Sequence, residues 1–346
     1  MWPLEIDCEP TNAPIVQSSD EINFQPIDLD KILISKRNWP YATIFDYRTA
    51  YLEKRTTPTE VAKKLLELCL SDKIRNLFAL VEIKGEELIQ AAQESTERYE
   101  QNKSLSVIDG VPFFVKEHIK ITNYTTYYGL GDNEQQSMTT AFCIQKLLEK
   151  GGMLVGTTTM PQFGTNAIGS NPDVKFPSPI YPWDSTKYPG GSSSGNGVLV
   201  GMGLCPFSIG SDGLGSIRVP SGFNGIVGLR STFSRISNEG CTNDPNQNPC
   251  LVIGPMSSSV GDAAIVYSII SGPDSNFTLG LNQPLLILPN FINFDIKSIK
   301  FGFCPEYIES ADKSLKDNFN QVIEKLKMLG CQLIPIKIPE MNVIIY

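Results

Sequence analysis

Three residues could do chemistry together: Ser192 in PGGSSSGNG, Ser216 in GSDGLGSIRVP and Lys116 in GVPFFVKEHI. A serine hydroxyl ionises far above neutrality and needs a positioned base before it can attack a carbonyl. Histidine usually supplies that base, with a carboxylate behind it, but this chain holds a single histidine, His118. Lysine is the remaining candidate. If Lys116 is buried at the end of its apolar strand, its ammonium is disfavoured and the neutral amine is a competent general base. If it sits at the surface, it only snorkels to water. The sequence leaves both open. His118 reads as a surface or loop residue and Glu117 as structural.

The run GGSSSGNG (190–197) is bounded by patterned segments and stiffened by Pro189, which argues against a flexible linker. It lacks the lysine of a phosphate-binding Walker loop, and Gly201-Met202-Gly203 does not continue into a dinucleotide fingerprint. Gly191-Ser192-Ser193-Ser194-Gly195 satisfies G-x-S-x-G, the nucleophile elbow of α/β-hydrolases. In that fold the histidine follows the serine, whereas His118 precedes it, so the match is accidental. Around Ser216, the small residues Gly213 and Gly215 let successive backbone N–H groups turn towards one point, as an oxyanion hole requires. A glycine-rich turn with a capping serine is the plain alternative.

Other classes recede on composition. A formal net charge of −8 with no basic stripe argues against a nucleic-acid partner. The 41% hydrophobic and 19% charged content belongs to a globular chain rather than a disordered one. The eight cysteines form no CxxC pair and have one histidine to join them, which disfavours structural zinc. They read as reduced thiols, although Cys241 and Cys250 flank the polar loop TNDPNQNP and could be bridged in an oxidising compartment. No apolar run reaches membrane-spanning length, and the acidic, proline-broken start is unlike a secretory signal. Cytoplasmic residence is the expectation.

The elements that must position these residues alternate. Residues 1–45 read as an N-terminal arm and 46–346 as one domain. Helical patterning runs from Asp46 to Arg75, with Thr57-Pro58-Thr59-Glu60 as a start signal, and again over 85–101. A strand at GVPFFVK ends on Lys116. A helix over 141–152 and a buried strand over 153–159 follow, and 163–183 is loop. GNGVLVGMG begins a small-residue helix, and CPFSIGSD and IVGLRST read as strands. A helix covers 260–272, and strand 299–304, helix 311–330 and strand 331–338 form a βαβ unit. This alternation predicts an α/β fold: a mixed, largely parallel central sheet between helices. The apolar ending MNVIIY, straight after that unit, reads as a cut edge.

Together these segments resemble the amidase signature family. GGSSSGNGVLVGMGLCPFSIGSDGLGSIRVPSGFNGIVGL (190–229) is similar to its signature stretch and GVPFFVKEHI (110–119) to its lysine strand; WDSTKYPGGSS and GPMSSSVGDAAIVYSIISGPD also match, in the family's order. The resemblance implies the amidase-signature fold and a Ser–cis-Ser–Lys triad. Ser216 would be the acyl-forming nucleophile, and Ser192, on a cis peptide bond, would bridge it to Lys116. The amides of Gly213, Leu214, Gly215 and Ser216 would hold the oxyanion, with Asp212 and Arg218 bracing the loop. It implies hydrolysis of a small-molecule amide, with a fatty acid amide as the leaning, and no cofactor. Residues near Met160 to Asn166 would face the acyl chain. The alternatives are the glutaminase component of a tRNA-dependent amidotransferase, which would need partner subunits, and a truncated inactive relative. Leu214-Gly215 replaces the family's paired glycines, Ser194 replaces a glycine, and Arg230-Ser231-Thr232 stands where Lys-Pro-Thr is common. A homodimer and peripheral membrane association stay open.

Overall fold

The computed structural model describes residues 41–241, 250–277 and 295–338. They fall in two units, one spanning Arg37–Leu288 and the other Met1–Lys36 with Pro289–Tyr346. The expected N-terminal arm and the apolar ending lie almost wholly outside the described residues.

In the larger unit, short polar residues start the first two helices. Thr43 caps α1 (Ile44–Leu52) and Thr57 caps α2 (Pro58–Leu70), each in a capping box closed by Asp46 or Glu60. One-turn α3 (Asp72–Arg75), strand β1 (Leu80–Glu82) and α4 (Gly85–Glu100) follow. Next come β2 (Pro112–Lys116), the hairpin β3 (Thr125–Thr126) and β4 (Gln135–Gln136), α5 (Phe142–Glu149) and β5 (Met153–Thr158). The second half contributes α6 (Ser194–Gly201), β6 (Phe207–Asp212), α7 (Arg218–Asn224), β7 (Val227–Gly228), β8 (Val252–Ser257) and α8 (Val260–Ile270).

Six strands form one mixed sheet in the order β1-β5-β2-β6-β8-β7. The central trio β5-β2-β6 is parallel, β1 and β8 flank it antiparallel, and β7 pairs antiparallel with β8 at the outer edge. Every residue of β2, β6 and β8 is buried, which fits their apolar runs in a sheet covered on both faces. Phe113 and Phe207 stack 5.3 Å apart across the β2–β6 pair. On one side Leu65, Leu88, Ala92, Phe114, Val155 and Leu199 belong to a single buried cluster. Because β2 and β6 run the same way, with Val115 opposite Ile209, Lys116 and the Ser211-Asp212 pair emerge at one edge of the sheet. The carboxyl ends of parallel strands are where open α/β sheets place ligand sites.

Four strands escape the sequence pattern, three-residue β1, the two-residue hairpin strands β3 and β4, and β8, and IVGLRST contributes only Val227–Gly228. The second unit is the expected βαβ: β9 (Lys300–Phe303) pairs in parallel with β10 (Gln332–Pro335), connected through α9 (Pro305–Glu309) and α10 (Lys313–Met328).

Candidate functional site

Lys116 closes β2, and the fully buried Phe113, Phe114 and Val115 before it carry its side chain into the interior; the lysine is 1% exposed. Its Nζ lies 2.7 Å from Ser192 Oγ and 3.2 Å from Ser211 Oγ. Burial lowers the lysine pKa to about 7, against the opposing pull of Glu117 and Asp212. The sequence left open whether this lysine is buried, and the structure buries it. At neutral pH a large share of the amine is therefore unprotonated, with a lone pair available to a hydroxyl.

Ser192 follows a cis Gly191–Ser192 peptide bond. The loop then enters α6, whose residues are all buried. Asn196 fixes that helix between two strands: its Oδ1 accepts from the Thr158 hydroxyl of β5, and its Nδ2 donates to the Ile209 carbonyl of β6 at 2.9 Å. Asn224 holds the entry to the loop by donating to the Pro189 carbonyl at 2.8 Å. Opposite Ser192, Gly164 has φ +69°, and a Cβ there would stand 3.1 Å from Ser192 Oγ. Any side chain at 164 would crowd the serine hydroxyl.

Ser216 sits in the loop after β6, half-buried, and its carbonyl accepts from the Ser193 amide at 3.1 Å. That bond ties the two serine loops together through backbone. Among the described residues no hydrogen bond joins the Ser216 hydroxyl to that of Ser192. Asp212 organises the loop. Burial raises its carboxyl pKa, but Arg218 and the amides of Gly215 and Ile217 outweigh this and hold it below the usual range. Arg218 donates through Nε and Nη2, both at 3.0 Å, and Arg230 Nε lies 3.5 Å from the same carboxylate. Arg230, which departs from the usual lysine, thus adds a second cation behind the loop.

One expected oxyanion donor is lost by this bracing. The Gly215 amide donates to Asp212 Oδ1 at 2.8 Å and so points away from the site. The amides of Gly213, Leu214 and Ser216 have no acceptor among the described residues. Leu214 is 94% exposed, so its side chain leaves the loop face open.

His118 corrects the sequence reading. It lies in the turn after β2 but is 6% exposed, with Nδ1 unpartnered, and burial pushes its pKa well below the ordinary value. It is a neutral interior residue, not a surface one. Glu117 is structural, as expected: its carboxylate accepts from the amides of Tyr127, Tyr128 and Gly129. Of the stretch from Met160 to Asn166, Phe163 lines a cavity of about 460 Å³ with Tyr128, Leu130, Asn133 and Asp173. Ser211, Asn196 and Arg230 were not legible as site residues, whereas Gly164 falls in the stretch expected to face the acyl chain. Only the parallel register of β2 and β6 could have brought Ser211 to the lysine.

The family model described as Amidase matches residues 66–345. The chain is 32% identical over 317 residues to the fatty acid amide hydrolase of Oryza sativa subsp. indica, covering 87% of this chain and 51% of that protein. It is 30% identical over 279 residues to the A subunit of the glutamyl-tRNA(Gln) amidotransferase of Prochlorococcus marinus, covering 79% of this chain and 56% of that one. The chain thus spans about half the length of these curated relatives. The native peptide amidase of Stenotrophomonas maltophilia superposes with a TM-score of 0.76 at 20% identity, over 88% of this chain and 64% of that one, a likeness of fold alone. With its serine loop, buried lysine and mixed sheet in place, the chain belongs to the amidase signature family.

Proposed function

We propose that this protein hydrolyses a carboxamide through an acyl-enzyme formed on Ser216. Neutral Lys116 takes the Ser192 proton as Ser192 takes that of Ser216, and the freed alkoxide attacks the amide carbonyl. The amides of Gly213, Leu214 and Ser216 hold the oxyanion that develops. The relay returns the proton to the leaving nitrogen, and water then releases the acid by the same path. The relay requires the Ser216 hydroxyl to come within hydrogen-bond reach of the Ser192 hydroxyl. The observation that carries the reading is the buried amine, with a pKa of about 7, lying 2.7 Å from Ser192 Oγ.

A serine-directed fluorophosphonate tests it. Labelling should map to Ser216 and vanish in Ser216→Ala; an unlabelled but folded wild type favours an inactive relative. For the substrate we favour a fatty acid amide, on the 32% identity to plant fatty acid amide hydrolases and the Tyr128–Leu130–Phe163 wall of the cavity. The 30% identity to a component of an amidotransferase supports a second reading, glutamine hydrolysis. Ammonia release from oleamide against that from glutamine separates the two.

A further inference from the structure

Glu117 lies between the catalytic strand and the cavity wall, and its carboxylate joins the two. The residue is 1% exposed. Its Oε2 accepts from the amides of Tyr127 at 2.7 Å and Tyr128 at 3.1 Å, and its Oε1 from that of Gly129 at 2.7 Å. Successive N–H groups converge on one anion where the backbone enters the left-handed region. Tyr128 and Gly129 do so, at φ +53° and +73°. Glycine takes that region freely, whereas a bulky residue is strained there and keeps it only where its surroundings impose it.

A second strained residue is bonded to the first. The Phe163 amide donates to the Tyr128 carbonyl at 2.9 Å, and Phe163 itself stands at φ +51°. A Cβ on Gly129 would stand 2.6 Å from the Pro161 carbonyl carbon, so the two segments meet backbone to backbone. Asn171 closes the arrangement by donating to the Gly129 carbonyl at 3.0 Å. Phe163 contributes little packing, being 64% exposed. With Tyr128 it lines the cavity of about 460 Å³, and it precedes Gly164, the residue set against Ser192 Oγ. A strained, uncovered aromatic residue beside a reacting hydroxyl is explained by what it offers a ligand, not by what it adds to the fold.

We propose, resting on the acyl-enzyme reading above, that Glu117 is a positioning residue and that Tyr128 and Phe163, which it holds in place, set specificity for the acyl chain. The carboxylate fixes Tyr128, and Tyr128 fixes Phe163 through its carbonyl. The two rings then form an apolar wall along which the chain lies. Because Glu117 follows Lys116, the strand end that brings the amine to Ser192 also anchors that wall.

Glu117→Asp keeps the charge and withdraws the carboxylate by one carbon–carbon bond, about 1.5 Å, which takes it out of reach of three amides at once. It should raise KM for oleamide about tenfold and leave kcat within about twofold, the rise shrinking as the acyl chain is shortened towards butyramide. Phe163→Gly suits the left-handed backbone and removes a mostly exposed ring. It should raise KM with the same dependence on chain length and without a lower melting temperature. Residue-resolved hydrogen exchange reads the link without turnover. In Glu117→Asp the Phe163 amide should exchange about tenfold faster or more, while those of Phe113 to Val115 keep wild-type rates. A wild type that hydrolyses no amide would strike the acyl-enzyme reading and the specificity built on it, and the exchange rates would still decide whether Glu117 holds Phe163. Unchanged Phe163 exchange, or a KM rise equal at every chain length, overturns the proposal. If Glu117→Asp does not fold, Phe163→Gly decides, and an unchanged KM for oleamide overturns it.

Discussion

At the scale of single residues the site is an arrangement of one amine and one carboxylate held in opposite, useful states. Burial lowers Lys116 to about 7 while Arg218 and the loop amides keep Asp212 ionised. On the proposed mechanism the amine acts unprotonated, so kcat/KM should rise with pH through about 7 and then level off; a profile flat from pH 5 to 9 would remove the lysine from the relay. Lys116→Met should lower the acylation rate by about 10²- to 10⁴-fold, read in single-turnover kinetics. The same substitution carries a stability signature of definite sign. Between its folded pKa of about 7 and its unfolded value of 10.5, Lys116 binds more protons when the chain is unfolded, so its burial costs stability that is regained as pH rises through that window. Lys116→Met should therefore melt above wild type at pH 7, with the gap closing towards pH 10.5. Loss of activity with a lower melting temperature would instead mean plain structural damage. Gly164→Ala probes the other side of the hydroxyl: it should depress labelling of Ser216 with little change in substrate affinity, because the added methyl meets Ser192 Oγ.

At the scale of elements the site is an edge product of the parallel trio β5-β2-β6. β2 delivers Lys116, β6 delivers Ser211 and Asp212, and α6 delivers the serine loop, while Asn196 keeps that helix in register with both neighbouring strands. Asn196→Ala removes one acceptor of the Thr158 hydroxyl, which keeps the Val115 carbonyl, and one donor to the Ile209 carbonyl. It should cost about 1–3 kcal/mol in denaturant unfolding; an unchanged midpoint would show that water replaces both bonds. Elements whose local chemistry agrees with their fate were legible: the Thr57–Glu60 capping box, the apolar run ending on Lys116 and the 85–100 helix all stand where the pattern put them. β8 was not, because Pro255 lies inside it, and proline argues against a central strand. The structure tolerates it there, opposite Ile209 and with its carbonyl accepting from the Leu229 amide. His118, Ser211 and Arg230 were misread or missed for a related reason. Their surroundings come from segments tens of residues away, and spacing along the chain carries no record of them.

At the scale of the whole molecule the two units differ in how much apolar surface each removes from water. Strands β2, β6 and β8 are buried along their full length. In the βαβ unit, by contrast, α10 has no buried residue, and Leu315, Val322 and Met328 are 59%, 52% and 86% exposed. Apolar burial is the main favourable term in folding, and regions with few buried contacts open at lower free energy than the core. Hydrogen exchange on the intact chain should therefore separate the two. Amides in Pro112–Lys116, Phe207–Asp212 and Val252–Ser257 should exchange near the global limit, and those in Lys313–Met328 orders of magnitude sooner. Mild denaturant should speed the second group while leaving Lys116 and Ser192 protected, since every hydrogen bond described around that pair is made within the larger unit. Equal protection across both groups would show that they unfold as one cooperative body, and that the order of the lysine–serine pair depends on residues far outside the parallel trio.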